Sequence, residues 1–171
     1  DIISRYKVQN VDLLNRIVTY LSINMSQIFS GTSIVNFLKS ENRECSKETL
    51  YNYLSYITNS CVMNKARRYD IHGKKLLSTL EKYYLTDISF ARLHSQKIDI
   101  GASLENIVYN ELICRGYEVQ TGVLKNAEVD FIAQKGTEKK YFQVCYLLAN
   151  EETQKREFGA FDSVGDYYPK F

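Results

Sequence analysis

The stretch GASLENIVYNELICRGYEVQTGVLKNAEVDFIAQKGTEKKYFQVCY, residues 101–146, changes its hydrophobic period once, and that change sets the fold class. Leu104, Ile107, Val108, Leu112 and Ile113 recur at three- and four-residue spacing, which places them on one face of a helix. Gly116 follows where a left-handed C-cap is wanted. Residues 118–124, 128–134 and 140–147 then read as three strands, rich in β-branched and aromatic side chains. Lys125-Asn126 and Lys135-Gly136-Thr137 stand at the junctions, and connections this short join antiparallel neighbours. Glu105 falls in the helix, Asp130 in the second strand, and Gln143 and Cys145 in the third. Side chains alternate along a strand, so residues 143 and 145 share a face, and Asp130 should share it from the neighbouring strand.

Downstream, residues 151–164 are again helical, with Phe158 and Phe161 on one side, and residues 167–171 are expected to begin a further strand that the sequence cuts short. Upstream, TDISFARLHSQKID at 86–99 is polar and mixed, which predicts a linker and a domain boundary.

Before that boundary the periodicity predicts three helices. Val11, Leu14, Ile17, Val18 and Leu21 form the apolar face of the first. Ser30 to Ser33 supply caps for a second, short helix carrying Ile34, Val35, Phe37 and Leu38. Ser46 opens the third, with Glu48 in its first turn where the helix dipole favours negative charge, and Leu50, Tyr53, Leu54 and Ile57 on its inner face. Residues 61–71 and 74–85 read as strands around a His72-Gly73 turn. Three helices and a hairpin make a winged helix-turn-helix over residues 1–94. The hairpin carries Lys65, Arg67, Arg68, Lys74 and Lys75, and Lys47 stands on the exposed face of the third helix with Tyr51, Asn52 and Ser55.

Composition narrows the function classes. The net charge of +2 divides unevenly: residues 1–94 hold 13 Lys/Arg against 8 Asp/Glu, and residues 95–171 hold 9 against 12. A nucleic-acid partner is therefore sought on the N-terminal half, at the hairpin cations and Lys47. No GxxxxGK(S/T), GxSxG or HExxH is present, and the 2 histidines, His72 and His94, have no acid or cysteine near them in sequence. The 4 cysteines are far apart, without a CxxC pair, and are expected to be small buried hydrophobes in a reducing compartment. The 14 tyrosines fall mostly in apolar stripes, which favours packing at the core edge. With no apolar run of membrane-span length and no signal-peptide core, the expected location is the cytoplasm, away from membrane. The sequence opens on Asp1 and stops at Phe171, and it reads as part of something longer.

RRYDIHGKKLL in the hairpin, EKYYLTD at its end, ENIVYNEL and RGYEV, EVDFIA, and FQV occur in that order. In this series the chain resembles the C-terminal region of prokaryotic AAA+-type ATPases, a family of unknown function in which a winged helix precedes a domain related to the PD-(D/E)xK nucleases. The resemblance implies an α+β architecture: a winged helix-turn-helix over 1–94, then a restriction-endonuclease-like α/β domain with a small mixed sheet over 95–171. An ATPase module, with its ATP, would precede Asp1 and is the first partner the resemblance implies.

The same resemblance assigns nuclease roles by position. Glu105 matches the helix glutamate and Asp130 the metal-bridging acid, while Gln143 stands at the second acid and Cys145 at the lysine. Such a site gathers carboxylates because Mg²⁺ is a hard cation that takes oxygen ligands, and its lysine positions water and offsets charge on the phosphate. Gln143 offers only a neutral oxygen, and Cys145 supplies no cation. Lys125, Lys140, Lys155 and Arg156 are the cations at hand to replace it, with Lys140 on the opposite strand parity from Gln143.

Three readings follow. The first is a DNA-associated accessory region with an inactive nuclease-like domain, gripping the phosphate backbone without reading sequence. The second is a protein-interaction or homo-oligomerisation module that regulates the ATPase. The third is a Mg²⁺-dependent DNA nuclease using Glu105 and Asp130.

Overall fold

The structure, a computed structural model, describes residues 2–94, 99–125, 127–148 and 150–171, the side chain of Arg156 apart. The chain forms two compact units, Asp1–Lys65 with Leu80–Ile98, and Ala66–Thr79 with Asp99–Phe171. The architecture is mixed α and β, with a small, open, mixed sheet.

In the first unit, helices α1 (Ile2–Tyr6), α2 (Val11–Ile23), α3 (Gly31–Ser40) and α4 (Lys47–Asn59) are present, and α2, α3 and α4 touch one another. The caps explain where they start. Ser33 N–H and Ser30 N–H exchange hydrogen bonds with each other's side chains to open α3, and Ser46 accepts from Thr49 N–H to open α4. Leu14, Ile17 and Leu21, Ile34 and Leu38, and Leu50, Leu54 and Ile57 are all buried, as their spacing predicts.

Strand β1 (Ile28–Phe29) was not anticipated. It pairs antiparallel with β4 (Glu81–Leu85) and is too short to carry a periodic signal. The expected linker is also different: residues 89–94 form a helical turn, α5 (Ser89–His94), started by Asp87 accepting from Ser89 N–H. It packs on α2, where His94 Nδ1 and Thr19 Oγ1 lie 3.2 Å apart. Residues 95–98 of that linker, and Asn126 of the first strand turn, lie outside the described residues.

Strand β2 (Met63–Asp70) begins in the first unit and ends in the second. Its expected hairpin partner is broken in two. β3 (Lys75–Leu76) pairs back onto the far end of β2, the chain then turns through Leu80, at φ +65°, and β4 is the second piece that neighbours β2.

In the second unit α6 (Ile100–Cys114), capped by Asp99, ends on Gly116 at φ +81°, the left-handed conformation read from the sequence. The strands β5 (Glu118–Val123), β6 (Glu128–Lys135) and β7 (Glu138–Phe142) follow as an antiparallel meander. Within this unit the order is β3-β2-β5-β6-β7, and the β2–β5 pair is parallel. Helix α7 (Glu151–Asp162) completes the unit.

The two helices cover opposite faces. Phe131 meets Tyr109 of α6, with ring centroids 5.8 Å apart. Ile132 and Tyr141 are buried in one cluster with Ala160 and Phe161 of α7. Alternation from Tyr141 assigns Gln143 to the α7 face. Val129 and Ile132 both belong to that cluster because the β5–β6 register shifts between them, so alternation does not carry through to Asp130.

The third strand differs from its expected span of 140–147 because its ladder ends at Phe142. Beyond that point side chains take over the hydrogen bonds. Asp130 N–H donates to Gln143 Oε1, and Val144 N–H donates to Asp130 Oδ2. The outer edge of β7 bonds instead to the end of the chain: Tyr141 N–H to Pro169, Phe171 N–H to Tyr141 and Gln143 N–H to Phe171. Residues 169–171 thus do start a further strand, as a single parallel bridge at Lys170.

None of the 4 cysteines is buried, contrary to expectation. Cys61 sits in the loop after α4 at φ +55°, and Cys114 falls on the outward side of the last turn of α6. The tyrosines divide: Tyr53, Tyr83, Tyr84, Tyr109 and Tyr141 are core residues, while Tyr51, Tyr146, Tyr167 and Tyr168 are exposed. Among the described residues no helix is long and apolar enough to cross a membrane.

Candidate functional site

Asp130 and Gln143 meet at the point where the β6–β7 ladder gives way. The Asp130 carboxylate accepts Val144 N–H at 2.8 Å. The Gln143 carboxamide accepts Asp130 N–H at 3.3 Å and donates through Nε2 to Glu157 Oε2 at 3.2 Å. Gln143 therefore serves as a bridge between a strand and α7, with both ends of its amide in use. A carboxylate in its place would have no N–H for Glu157 and would set two like charges about a hydrogen-bond length apart. Sequence reading missed Glu157. The helical period puts it on the half-buried side of α7, one residue before the exposed Phe158, and only tertiary packing sets it against Gln143.

Cys145 is half-buried, and its thiol lies 3.4 Å from the Leu147 carbonyl. Glu105 is half-buried on α6, and it has interactions of its own. Among the described residues no three His, Cys, Asp or Glu side chains are grouped to hold a metal ion. Asp130 Oδ2 and Gln143 Oε1 each accept a backbone N–H here. Of the substitute cations, Lys140 is on the α6 face, held by Glu138 at 2.6 Å and by Tyr117, and the Arg156 side chain lies outside the described residues.

The basic residues expected on one hairpin are not equivalent. Lys65 is spent on Glu81, 2.9 Å away. Arg68 is half-buried, and its Nε is enclosed without a hydrogen-bond partner, beside Thr121 at the paired position on β5, whose hydroxyl is likewise enclosed. Arg67, Lys74 and Lys75 are exposed and form no ion pair with a described residue. Lys47 is exposed at the first position of α4, in the first unit.

Lys74 and Lys75 are held by a local device. Asp70 Oδ1 accepts Gly73 N–H at 2.8 Å, closing the turn at the end of β2, and a Cβ on Gly73 would come within 2.4 Å of the Asp70 carboxylate. Asp70 pairs with Val123 and Val123 with Glu128, so this turn lies at the end of the sheet where β6 starts, and Asp130 is only two residues further in. Arg67 pairs with Gln120, and Gln120 with Ile132. Its side chain therefore emerges on the α7 face, which also holds Gln143. The Lys74–Lys75 turn and the Asp130–Gln143–Glu157 bridge thus belong to one end of one sheet, and Arg67 stands further along β2, level with Ile132.

No family model matches the chain. Over 150 residues it is 36% identical to an uncharacterized protein of Haemophilus influenzae, covering 86% of this chain and 38% of that protein. Over 169 residues it is 30% identical to an uncharacterized protein of Methanocaldococcus jannaschii, covering 96% of this chain and 37% of that protein. The chain spans less than two fifths of the length of the curated relatives it matches. No solved structure matches it.

Proposed function

We propose that this chain is a nucleic-acid-associated accessory region of a AAA+-type ATPase, a winged helix joined to a restriction-endonuclease-like domain whose hydrolytic site has been converted to structural use. The observation that carries the reading is the trio Arg67, Lys74 and Lys75, exposed and without ion-pair partners among the described residues, Arg67 on β2 and the two lysines at the turn closed by Asp70. Cations left unpaired on a rigid turn suit phosphate contacts, because each contact releases a condensed counterion. The roles of Asp130 and Gln143 as hydrogen-bond partners for backbone N–H groups support loss of hydrolysis. The greater length of both relatives leaves room for a motor module outside this region.

The test is a titration of the chain with two duplexes of unrelated sequence at low and moderate salt. Both are expected to bind with equal affinity, and both to weaken steeply as salt rises. Absence of binding at low salt overturns the reading.

A second reading, a protein-interaction or oligomerisation module, is favoured by the exposed apolar side chains Tyr146, Leu147, Phe158 and Tyr167. It predicts a concentration-dependent oligomer in sedimentation and no affinity for DNA.

A further inference from the structure

On the α6 side of the second unit, Tyr117, Phe142 and Phe171 face Ile107 and Leu112 across a groove of about 370 Å³. That volume lies in the range of small-molecule sites, about 300–1,000 Å³. Its walls are mostly flat. Phe142 and Phe171 stack with centroids 5.3 Å apart and planes within 20°, and Phe171 remains 59% exposed, so part of the stack is open to solvent.

The polar groups of the groove are mainly donors. Lys140 Nζ bonds Glu138 at 2.6 Å and Tyr117 Oη at 3.2 Å, and an ammonium has a third N–H to give. The same ammonium lies 5.6 Å from the Tyr117 ring centre and 6.0 Å from that of Phe171, at the aromatic rim. Arg115 is tied to Glu111 through Nε and Nη2, both 2.7 Å, in a surface i,i+4 pair, which leaves its Nη1 edge. Among the described lining residues Glu111 is the one acid, against Arg115 and Lys140, and Glu138, which accepts from Lys140 and from Tyr117 Oη at 3.0 Å, adds a second carboxylate beside it.

We propose that this groove binds a planar aromatic anion of the nucleotide class, its base against the Tyr117, Phe142 and Phe171 rings and its phosphate at Lys140 and Arg115. Every base has a π-face, so aromatic walls accept bases without selecting sequence. A neutral aromatic would leave the third Lys140 N–H and the Arg115 Nη1 edge unused, and an aliphatic acid would not use the ring faces. The groove shares no residue with the Arg67, Lys74 and Lys75 turn, so it does not depend on duplex binding there.

Calorimetric titration of the whole chain tests this with thymidine 5′-monophosphate, a 5′-phosphorylated thymidine trinucleotide, thymidine and inorganic phosphate. The monophosphate is expected to bind at least about fivefold more tightly than thymidine, and phosphate alone not at all. Phe171→Ala and Lys140→Met should each weaken the monophosphate by at least about fivefold. Phe171→Ala leaves the backbone bonds of residue 171 to β7 in place, so it reads the ring and not the fold. The triple variant Arg67→Ala, Lys74→Ala, Lys75→Ala should bind the monophosphate as the wild type does, even if duplex binding is lost. Tighter binding of the trinucleotide identifies a strand end as the source, and equal affinity a free nucleotide. No heat at millimolar monophosphate, binding by phosphate alone, or variants indistinguishable from wild type overturns the proposal.

Discussion

Replacing Arg67, Lys74 and Lys75 together by alanine should flatten the salt dependence of duplex binding by a calculable amount. Each is exposed and has no ion-pair partner among the described residues, so each can neutralise one phosphate. Counterion release gives a slope of about −0.9 per phosphate in log affinity against log salt, so the triple variant should lose up to about 2.7 units of slope. Between 50 and 200 mM salt, a fourfold change, this makes the wild-type affinity fall roughly 40-fold further than that of the variant. Fluorescence anisotropy with a short labelled duplex measures both slopes. Lys65→Ala is the control: its charge is already held by Glu81, and its slope should match wild type. An unchanged slope in the triple variant, or equal flattening in Lys65→Ala, would refute the assignment of phosphate contacts to this turn.

Three further outcomes test the rest of the structure. Incubation with duplex DNA and Mg²⁺ should give no cleavage; EDTA-sensitive cleavage that disappears in Asp130→Ala would show a working metal site. Gly122→Ala places a methyl 3.0 Å from Ile71 Cδ1, 3.1 Å from Val129 Cβ and 3.2 Å from Ile132 Cδ1. Overpacking of this kind should cost about 1–3 kcal/mol, lowering the melting midpoint by about 2–4 °C per kcal/mol, and an unchanged midpoint contradicts it. Burial pushes the Asp166 carboxyl up, but hydrogen bonds from Tyr141, Lys139 and Tyr168 N–H outweigh it and hold it below its ordinary 3.8. A lowered folded value gives stability that is present above 3.8 and lost as pH falls through the folded value. Asp166→Asn should therefore melt lower than wild type at neutral pH, with the gap closing below pH 3.8, and a gap independent of pH removes this account.

The helices α2, α3, α4, α6 and α7 were readable because their signals are local, whereas the short α1 and α5 were not read. Ser30 and Ser46 cap the helices they were expected to cap, and Gly116 ends α6 in the left-handed conformation. The strands of the meander were readable in number and order, with the end of the third misplaced: apolar and aromatic residues continue past Phe142 through Val144, Tyr146 and Leu147, although the ladder does not. The split of the second hairpin arm and the β1–β4 pair had no local signal, because two-residue strands exist only through their partners. Among the basic residues the sequence distinguished none. Glu81 lies 16 positions after Lys65, and Thr121 lies 53 after Arg68, so their different surroundings come from pairing.

Residues 101–146 by themselves determined a helix followed by three short strands, because backbone periodicity is a property of neighbouring residues. The face expected for Asp130 was not fixed this way, because the β5–β6 register shifts beside it. What the Asp130 and Gln143 side chains do was decided by tertiary structure alone. The ladder stops at Phe142, so two backbone N–H groups need acceptors, and Asp130 and Gln143 supply them while α7 brings Glu157 to the remaining amide N–H. Hydrogen-bond satisfaction depends on which strands run out of partners, and no stretch of sequence carries that information on its own.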